Sequence, residues 1–175
     1  MTSDQTNNDH EHVLKGLQSA DADKVIETIE ELRAVGKSSD IPILAEMLHL
    51  SQNKEVKSKI ISLFANLKEK ESVPYIIEAI KNERYTPELR QLISSCWENG
   101  LDFTTYLSLF VDLLIEGDFV VALEAFTVIT NMSETIDQAK IDAEIEKLDQ
   151  AMRTTAEEKK VLMLDVIDFL PSIGS

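Results

Sequence analysis

The chain has a single cysteine, Cys96, so no internal disulfide framework can hold it together, and its use of cysteine fits a reducing compartment. Glycine and proline are scarce, at 5 and 4 residues, which argues against a many-turned β-sandwich and against a low-complexity disordered chain. No stretch approaches the roughly 20 apolar residues of a membrane-spanning helix. The most apolar one, 119–129, is too short and contains Glu124. The start, MTSDQTNNDH, has neither a basic nor an apolar targeting region. Positive charge is short overall. There are 17 basic against 32 acidic residues, a net charge of −15, which argues against nucleic acid and anionic membrane as partners because both require a positive face. The expectation is a soluble, cytoplasmic protein.

What the sequence has in quantity is apolar side chains at three- and four-residue spacing. Val25, Ile29, Leu32 and Val35 recur in this way, as do Val56, Ile60, Phe64 and Leu67, then Leu89, Ile93, Cys96 and Trp97. Ile141, Ile145, Leu148 and Met152 repeat the pattern near the end, followed by Val161, Leu164, Ile167 and Leu170. Period-two alternation is absent. Asp40, Ser72 and Thr86 each stand just before a proline-containing first turn, where a capping side chain is expected. The spacing predicts about ten helices in five pairs: 11–18 with 22–35, 41–50 with 54–67, 72–82 with 87–99, 102–116 with 118–132, and 135–153 with 156–170.

The pairs repeat. A shift of 32 places Ile29 on Ile61, Leu32 on Phe64, Ile41-Pro42 on Val73-Pro74, and Glu46 on Glu78. A shift of 33 takes Ile60 to Ile93 and Phe64 to Trp97; a shift of 30 takes Val73 to Phe103 and Ile80 to Phe110. Two helices per 30–33 residues is the signature of an α-solenoid, in which neighbours share one core. Ile29, Ile61, Phe64, Ile77, Ile93 and Trp97 are the expected members of that core.

On these residues the chain resembles the HEAT-like, armadillo-type helical repeats. Segments 54–82 and 116–132 carry the likeness: Glu55-Val56 and Asp118 before Val120-Val121 match the acidic residue and valine that open the second helix of a pair. The arginine common after that valine is replaced by Lys57 and Ala122. The likeness is good over about 20–132 and weak over 133–170. It implies an all-α superhelix of about five pairs, with the second helices lining a concave surface. The expected organisation is a flexible polar segment at 1–10, one repeat domain at 11–170 and a short tail at 171–175. The family is defined by architecture, so the likeness says little about function.

Chemistry-bearing constellations are few. His10 and His12 lie in the polar start. Glu46 and His49 form one E-x-x-H, whereas a di-iron bundle needs two such pairs and two further glutamates. Gly36-Lys37-Ser38 lacks the upstream glycine of a phosphate loop, since position 31 is Glu31. Cys96 stands on the apolar face without a histidine beside it, as a structural thiol does. The expectation is a non-enzymatic chain with no cofactor or metal.

Charge placement is the feature that points to a partner. Residues 91–139 contain no Lys or Arg, 8 acids, and six of the ten aromatics. Opposite the core positions of the second helices lie Ser58 and Ser62, then Gln91, Ser95 and Glu98, then Glu124, Thr127 and Asn131, then Asp165 and Asp168. The residues from Gln91 onward are the candidate partner-binding ridge, for a basic or amphipathic protein segment. Reversing Glu98 and Glu124 together is expected to leave the fold intact. The alternatives are an accessory subunit of an enzyme and a self-associating repeat protein. A HEAT-like nucleic-acid binder would need a basic ridge.

Overall fold

The computed structural model describes residues 13–175. His10, His12 and the segment 1–10 lie outside the described residues. All regular structure among the described residues is helical, and the one extended pairing is an isolated bridge between Ile136 and Gly174. No described helix is long and apolar enough to cross a membrane. The chain forms two compact units, one ending at Glu88 and one spanning Leu89–Ser175.

In the first unit a helical turn at 13–16 precedes α1 (Ala22–Val35), α2 (Ile41–Leu50), α3 (Lys54–Phe64) and α4 (Ser72–Lys81), and a 3-10 segment, Glu83–Glu88, closes it. The Asp21 carboxylate accepts the backbone N–H of Asp23 at the start of α1, and the Asn53 carbonyl oxygen accepts those of Glu55 and Val56 at the start of α3. α1 packs on α3, and α2 packs on both α3 and α4. Ile29, Ile41, Leu44, Ile60, Phe64, Ile76 and Ile77 are fully buried between them.

The second unit contains α5 (Leu89–Glu98), α6 (Leu107–Glu116), α7 (Phe119–Thr130), α8 (Gln138–Ala151) and α9 (Glu157–Phe169). Gly100, at φ +70, ends α5 in the left-handed conformation that only glycine adopts freely. α7 packs against α5 on one side and α9 on the other, and α6 packs on both α7 and α8. The core is filled by Phe110, Val111, Leu114, Ala122, Ala125, Ile129, Ile141 and Leu148, with the Phe103 ring set edge-on to Phe110 at 6.0 Å. The final residues are tied down: Ile136 donates to the Ile173 carbonyl at 2.8 Å and accepts from the Ser175 N–H at 2.9 Å.

Helices α1 to α9 fall within the expected spans, although α6 begins only at Leu107 and the expected helix 11–18 is a turn at 13–16 among the described residues. The register of burial differs from the expectation. The buried set Val56, Ile60, Leu63, Phe64 maps onto Glu88, Leu92, Ser95, Cys96 at a shift of 32 rather than 33. Phe64 therefore corresponds to Cys96. Trp97, expected in the core, stands one residue further round the helix, about 100° away, and is 38% exposed. Ile61 is likewise only half-buried, because the equivalent of Ile29 is Ile60, a shift of 31. From α4 to α6 the buried residues Val73, Ile76, Ile77 and Ile80 map onto Leu107, Phe110, Val111 and Leu114, a shift of 34 rather than 30. Val35, Val161 and Leu164, periodic in sequence, are exposed.

The expected caps differ too. The Asp40 carboxylate accepts the backbone N–H of Lys37 at 2.7 Å instead of capping α2. Ser72 lies inside α4 with its hydroxyl 2.9 Å from that of Ser38, and Thr86 donates to the Glu83 carbonyl.

Candidate functional site

The face turned away from α6 and α8 in the second unit is built from α5, α7 and α9. Its stripe on α5 is Arg90, Gln91, Ser94, Trp97 and Glu98; on α7 it is Val120, Leu123, Glu124, Thr127 and Asn131; on α9 it is Val161, Leu164, Asp165 and Asp168. Each stripe follows from helical spacing of three and four, and the buried residues of the same helices, Leu92, Ser95 and Cys96, then Ala122, Ala125, Val128 and Ile129, then Met163 and Val166, point the other way.

Seven of the eight candidate ridge residues therefore share this face. The eighth, Ser95, does not. It is 0% exposed, and its hydroxyl donates to the Leu92 carbonyl at 2.7 Å. The sequence expectation of an exposed Ser95 is overturned by the same one-residue register that brings Trp97 out. What that expectation missed is that the face is substantially apolar. Trp97, Val120 and Leu123, and Val161 and Leu164 project from three neighbouring helices.

Glu124 is the pivot of the surface. Its side chain is only 13% exposed; Oε2 accepts the Trp97 indole N–H at 2.9 Å, and Oε1 pairs with Arg90 at 3.3 Å. It is thus committed to holding Trp97 across the gap between α5 and α7. Reversing Glu124 would remove both bonds and set a cation beside Arg90, so the reversal of Glu98 and Glu124 together is expected to loosen the contact between α5 and α7, where the sequence expectation was an intact fold. Glu98, Asp165 and Asp168 are exposed and carry the free charge of the rim. Thr127 and Asn131 bond within their own helix, to the Leu123 and Thr127 carbonyls. Gln91 is half-buried, and its Oε1 is shielded from solvent without a hydrogen-bond partner among the described residues. Beside Trp97, a cleft of about 240 Å³ opens between the C-terminal ends of α5 and α7, lined in part by Gly100, Leu101, Val128 and Asn131.

The cation-free stretch is answered by cations from its flanks. Besides Arg90, Lys147 reaches Asp112 at 2.9 Å and Glu144 at 2.8 Å. Burial pulls the Lys147 ammonium pKa down, but those two carboxylates outweigh it and the net direction is up. Both acids lie on the α6–α8 side, and the exposed Glu98, Asp165 and Asp168 are the acids of the α5–α7–α9 face for which no ion pair forms among the described residues. A separate cleft of about 450 Å³ lies on the α6–α8 side, lined by Thr104, Ser108, Glu134, Asp137, Lys140 and Glu144.

In the first unit, Ser58 is exposed and Ser62 accepts a bond from Arg33 at 2.8 Å. The E-x-x-H pair is split between partners: His49 Nδ1 lies 3.0 Å from Glu88, while Glu46 accepts the Tyr85 hydroxyl and the Arg84 guanidinium, each at 2.8 Å. Glu88 occupies the register position that Val56 fills in α3, and Lys57 pairs with its other oxygen at 3.1 Å. No group of three or more potential metal ligands occurs among the described residues. Cys96 is buried, which pushes its thiol pKa far up and leaves it inert as a nucleophile.

The Glu46 cluster gives a pH prediction. The Tyr85 hydrogen bond, followed by that of Arg84, holds the Glu46 carboxyl below its ordinary range. A carboxyl depressed on folding adds stability above its unfolded pKa, and the gain disappears as pH falls through the folded value. Tyr85→Phe removes the leading cause. NMR titration of the Glu46 carboxyl should therefore show a higher midpoint, and stability should fall less steeply between roughly pH 5 and 3. An unmoved midpoint would refute the assignment.

No family model and no curated protein matches the chain. Among solved structures, the crystal structure of an engineered protein is similar to it at 17% identity and a TM-score of 0.45, over 93% of this chain and 79% of that one. That likeness is too slight to bear on function.

Proposed function

We propose that the helical pairs are HEAT-like repeats stacked as an α-solenoid, and that the chain is a non-enzymatic, cytoplasmic scaffold or adaptor which binds a protein or peptide segment on the α5–α7–α9 face. The repeating burial registers of 31 to 34 residues support the repeat reading. The observation that carries the binding reading is the row of exposed apolar side chains, Trp97, Val120, Leu123, Val161 and Leu164, set among Glu98, Asp165 and Asp168. An apolar row with a charged rim is the anatomy of a docking surface, in which the apolar centre supplies affinity and the rim supplies encounter rate and specificity. The acidity of the rim makes a cationic segment the fitting partner and nucleic acid an unfitting one.

Selection from a displayed peptide library tests the reading. Wild-type protein should enrich segments rich in Lys or Arg and in apolar side chains, and Leu123→Asp should abolish the enrichment. Binding to the selected segments should weaken with salt over a screening length of about 8 Å at physiological strength. Glu98→Lys with Asp168→Lys, both exposed, should slow association more than it speeds dissociation. Enrichment that survives Leu123→Asp would place the binding surface elsewhere.

A further inference from the structure

The cleft of about 450 Å³ on the α6–α8 side differs from the docking face in its lining and in its chemistry. Its size falls within the roughly 300–1,000 Å³ of small-molecule sites. It opens where the 3-10 turn Thr104–Tyr106 and the start of α6 meet the loop before α8 and the first turns of α8. Its charged lining is Glu134, Asp137, Lys140 and Glu144, with the exposed hydroxyls of Thr105 and Thr135 beside them. The side chains of Glu134 and Lys140 make no ion pair or hydrogen bond among the described residues. Asp137 spends one oxygen on the Ala139 backbone N–H, at 3.0 Å, and keeps the other.

Glu144 is the buried member of the set. It is 8% exposed, and a carboxylate so placed needs both a cation and aligned donors. Lys147 lies 2.8 Å from its Oε2, but the pair is not aligned as a hydrogen bond. The same ammonium also serves Asp112 at 2.9 Å and Ser108 at 3.1 Å, so one cation answers two carboxylates. Oε2 is shut off from solvent, and the cleft reaches the carboxylate through Oε1, to which nothing among the described residues donates. Lys140 stands one turn earlier on α8, with its Cβ about 5–6 Å from that of Glu144, yet the two do not pair. An unanswered oxygen and an unanswered ammonium are thus set a turn apart. The three carboxylates do not gather closely enough to hold one metal ion among the described residues, so separate cationic groups must answer them.

We propose that this cleft binds a free basic amino acid. An ammonium and a carboxylate carried on one carbon match opposite charges one helical turn apart, so the α-ammonium pairs with Glu144 Oε1 and the α-carboxylate with Lys140. Acids outnumber Lys140 three to one in the lining, which calls for a second cationic group on the ligand, and the side-chain cation meets Glu134 and Asp137. The site does not depend on the docking face.

Isothermal titration calorimetry of the full chain tests it with L-lysine and L-arginine as probes. Three analogues of L-lysine each lack one group: cadaverine the carboxylate, Nα-acetyl-L-lysine the α-ammonium, and L-norleucine the side-chain cation. At least one of the two basic amino acids should bind saturably, and each analogue should bind about ten-fold or more weakly than L-lysine. Lys140→Gln and Glu134→Gln, both at exposed positions, should each weaken L-lysine about ten-fold, with unchanged circular dichroism. Lys140→Gln should leave cadaverine unweakened, since that amine has no carboxylate for Lys140 to hold, and structural damage would not spare it. Absence of saturable binding by both basic amino acids at millimolar concentration overturns the proposal. Cadaverine binding as tightly as L-lysine makes the cleft a plain cation site and overturns it, and L-norleucine binding as tightly removes the basic side chain and overturns it. Binding unmoved by both substitutions places the site elsewhere and overturns it as well.

Discussion

Phe64→Ala should lower stability by about 3–5 kcal/mol, whereas Trp97→Ala should cost only about 1–2 kcal/mol. The sequence treats these aromatics as equivalent, but the structure separates them. Phe64 is 1% exposed and enclosed by the helices of the first unit, so its removal leaves a cavity that the close-packed interior only partly closes. Trp97 has one face in water and one polar bond, from its indole N–H to Glu124. Its loss removes that bond and some covered area but opens no interior void. Urea denaturation followed by circular dichroism distinguishes the cases. Equal losses for the two variants would mean that Trp97 is buried after all.

Ser95→Glu should cost about 3–5 kcal/mol, because it places a carboxylate at a fully buried position of α5. Ser95→Ala should cost no more than about 1 kcal/mol, since the lost bond to the Leu92 carbonyl is local. The neighbouring Ser94→Glu, at a half-buried site, should fall well below Ser95→Glu. A thermal melt of the three variants reads the order. A tolerated Ser95→Glu would return Ser95 to the surface and rotate the whole of α5 with it.

These two expectations share one origin, and it marks where the sequence stops being legible. Helix positions are readable because apolar spacing and Pro, Gly and Asn breaks act locally: α1 and α2 begin and end where the spacing places them. Which residue of a helix faces inward depends on an alignment between repeats. A helix turns about 100° per residue, so a one-residue error exchanges core and surface. The likeness of Phe64 to Trp97 in size favoured a shift of 33. The burial follows 32 and sets the small Cys96 opposite the place of Phe64, with Ser95 beside it.

Acidity was legible as composition, but its assignment was not. Arg90 and Lys147 lie just outside the stretch that lacks cations and neutralise Glu124 and Asp112 through tertiary contacts invisible to residue counting. The Glu88 site was missed for a similar reason. A glutamate at a core register looks like a surface charge until Lys57 and His49, 31 and 39 residues away, are brought to it. The exposed apolar side chains of α9 were hidden for the same reason: Val161 and Leu164 fit a core spacing with Ile167 and Leu170, but the core of that helix is filled by Met163 and Val166.

Trp97 is the single tryptophan of the chain and stands on the proposed docking face, so its emission is the most direct test of that face. Titration with a Trp-free segment taken from the library selection should shift the emission to shorter wavelength as the indole leaves water. The shift should follow the binding curve and vanish in Leu164→Asp. Saturable binding with unchanged Trp97 emission would contradict docking on the α5–α7–α9 face.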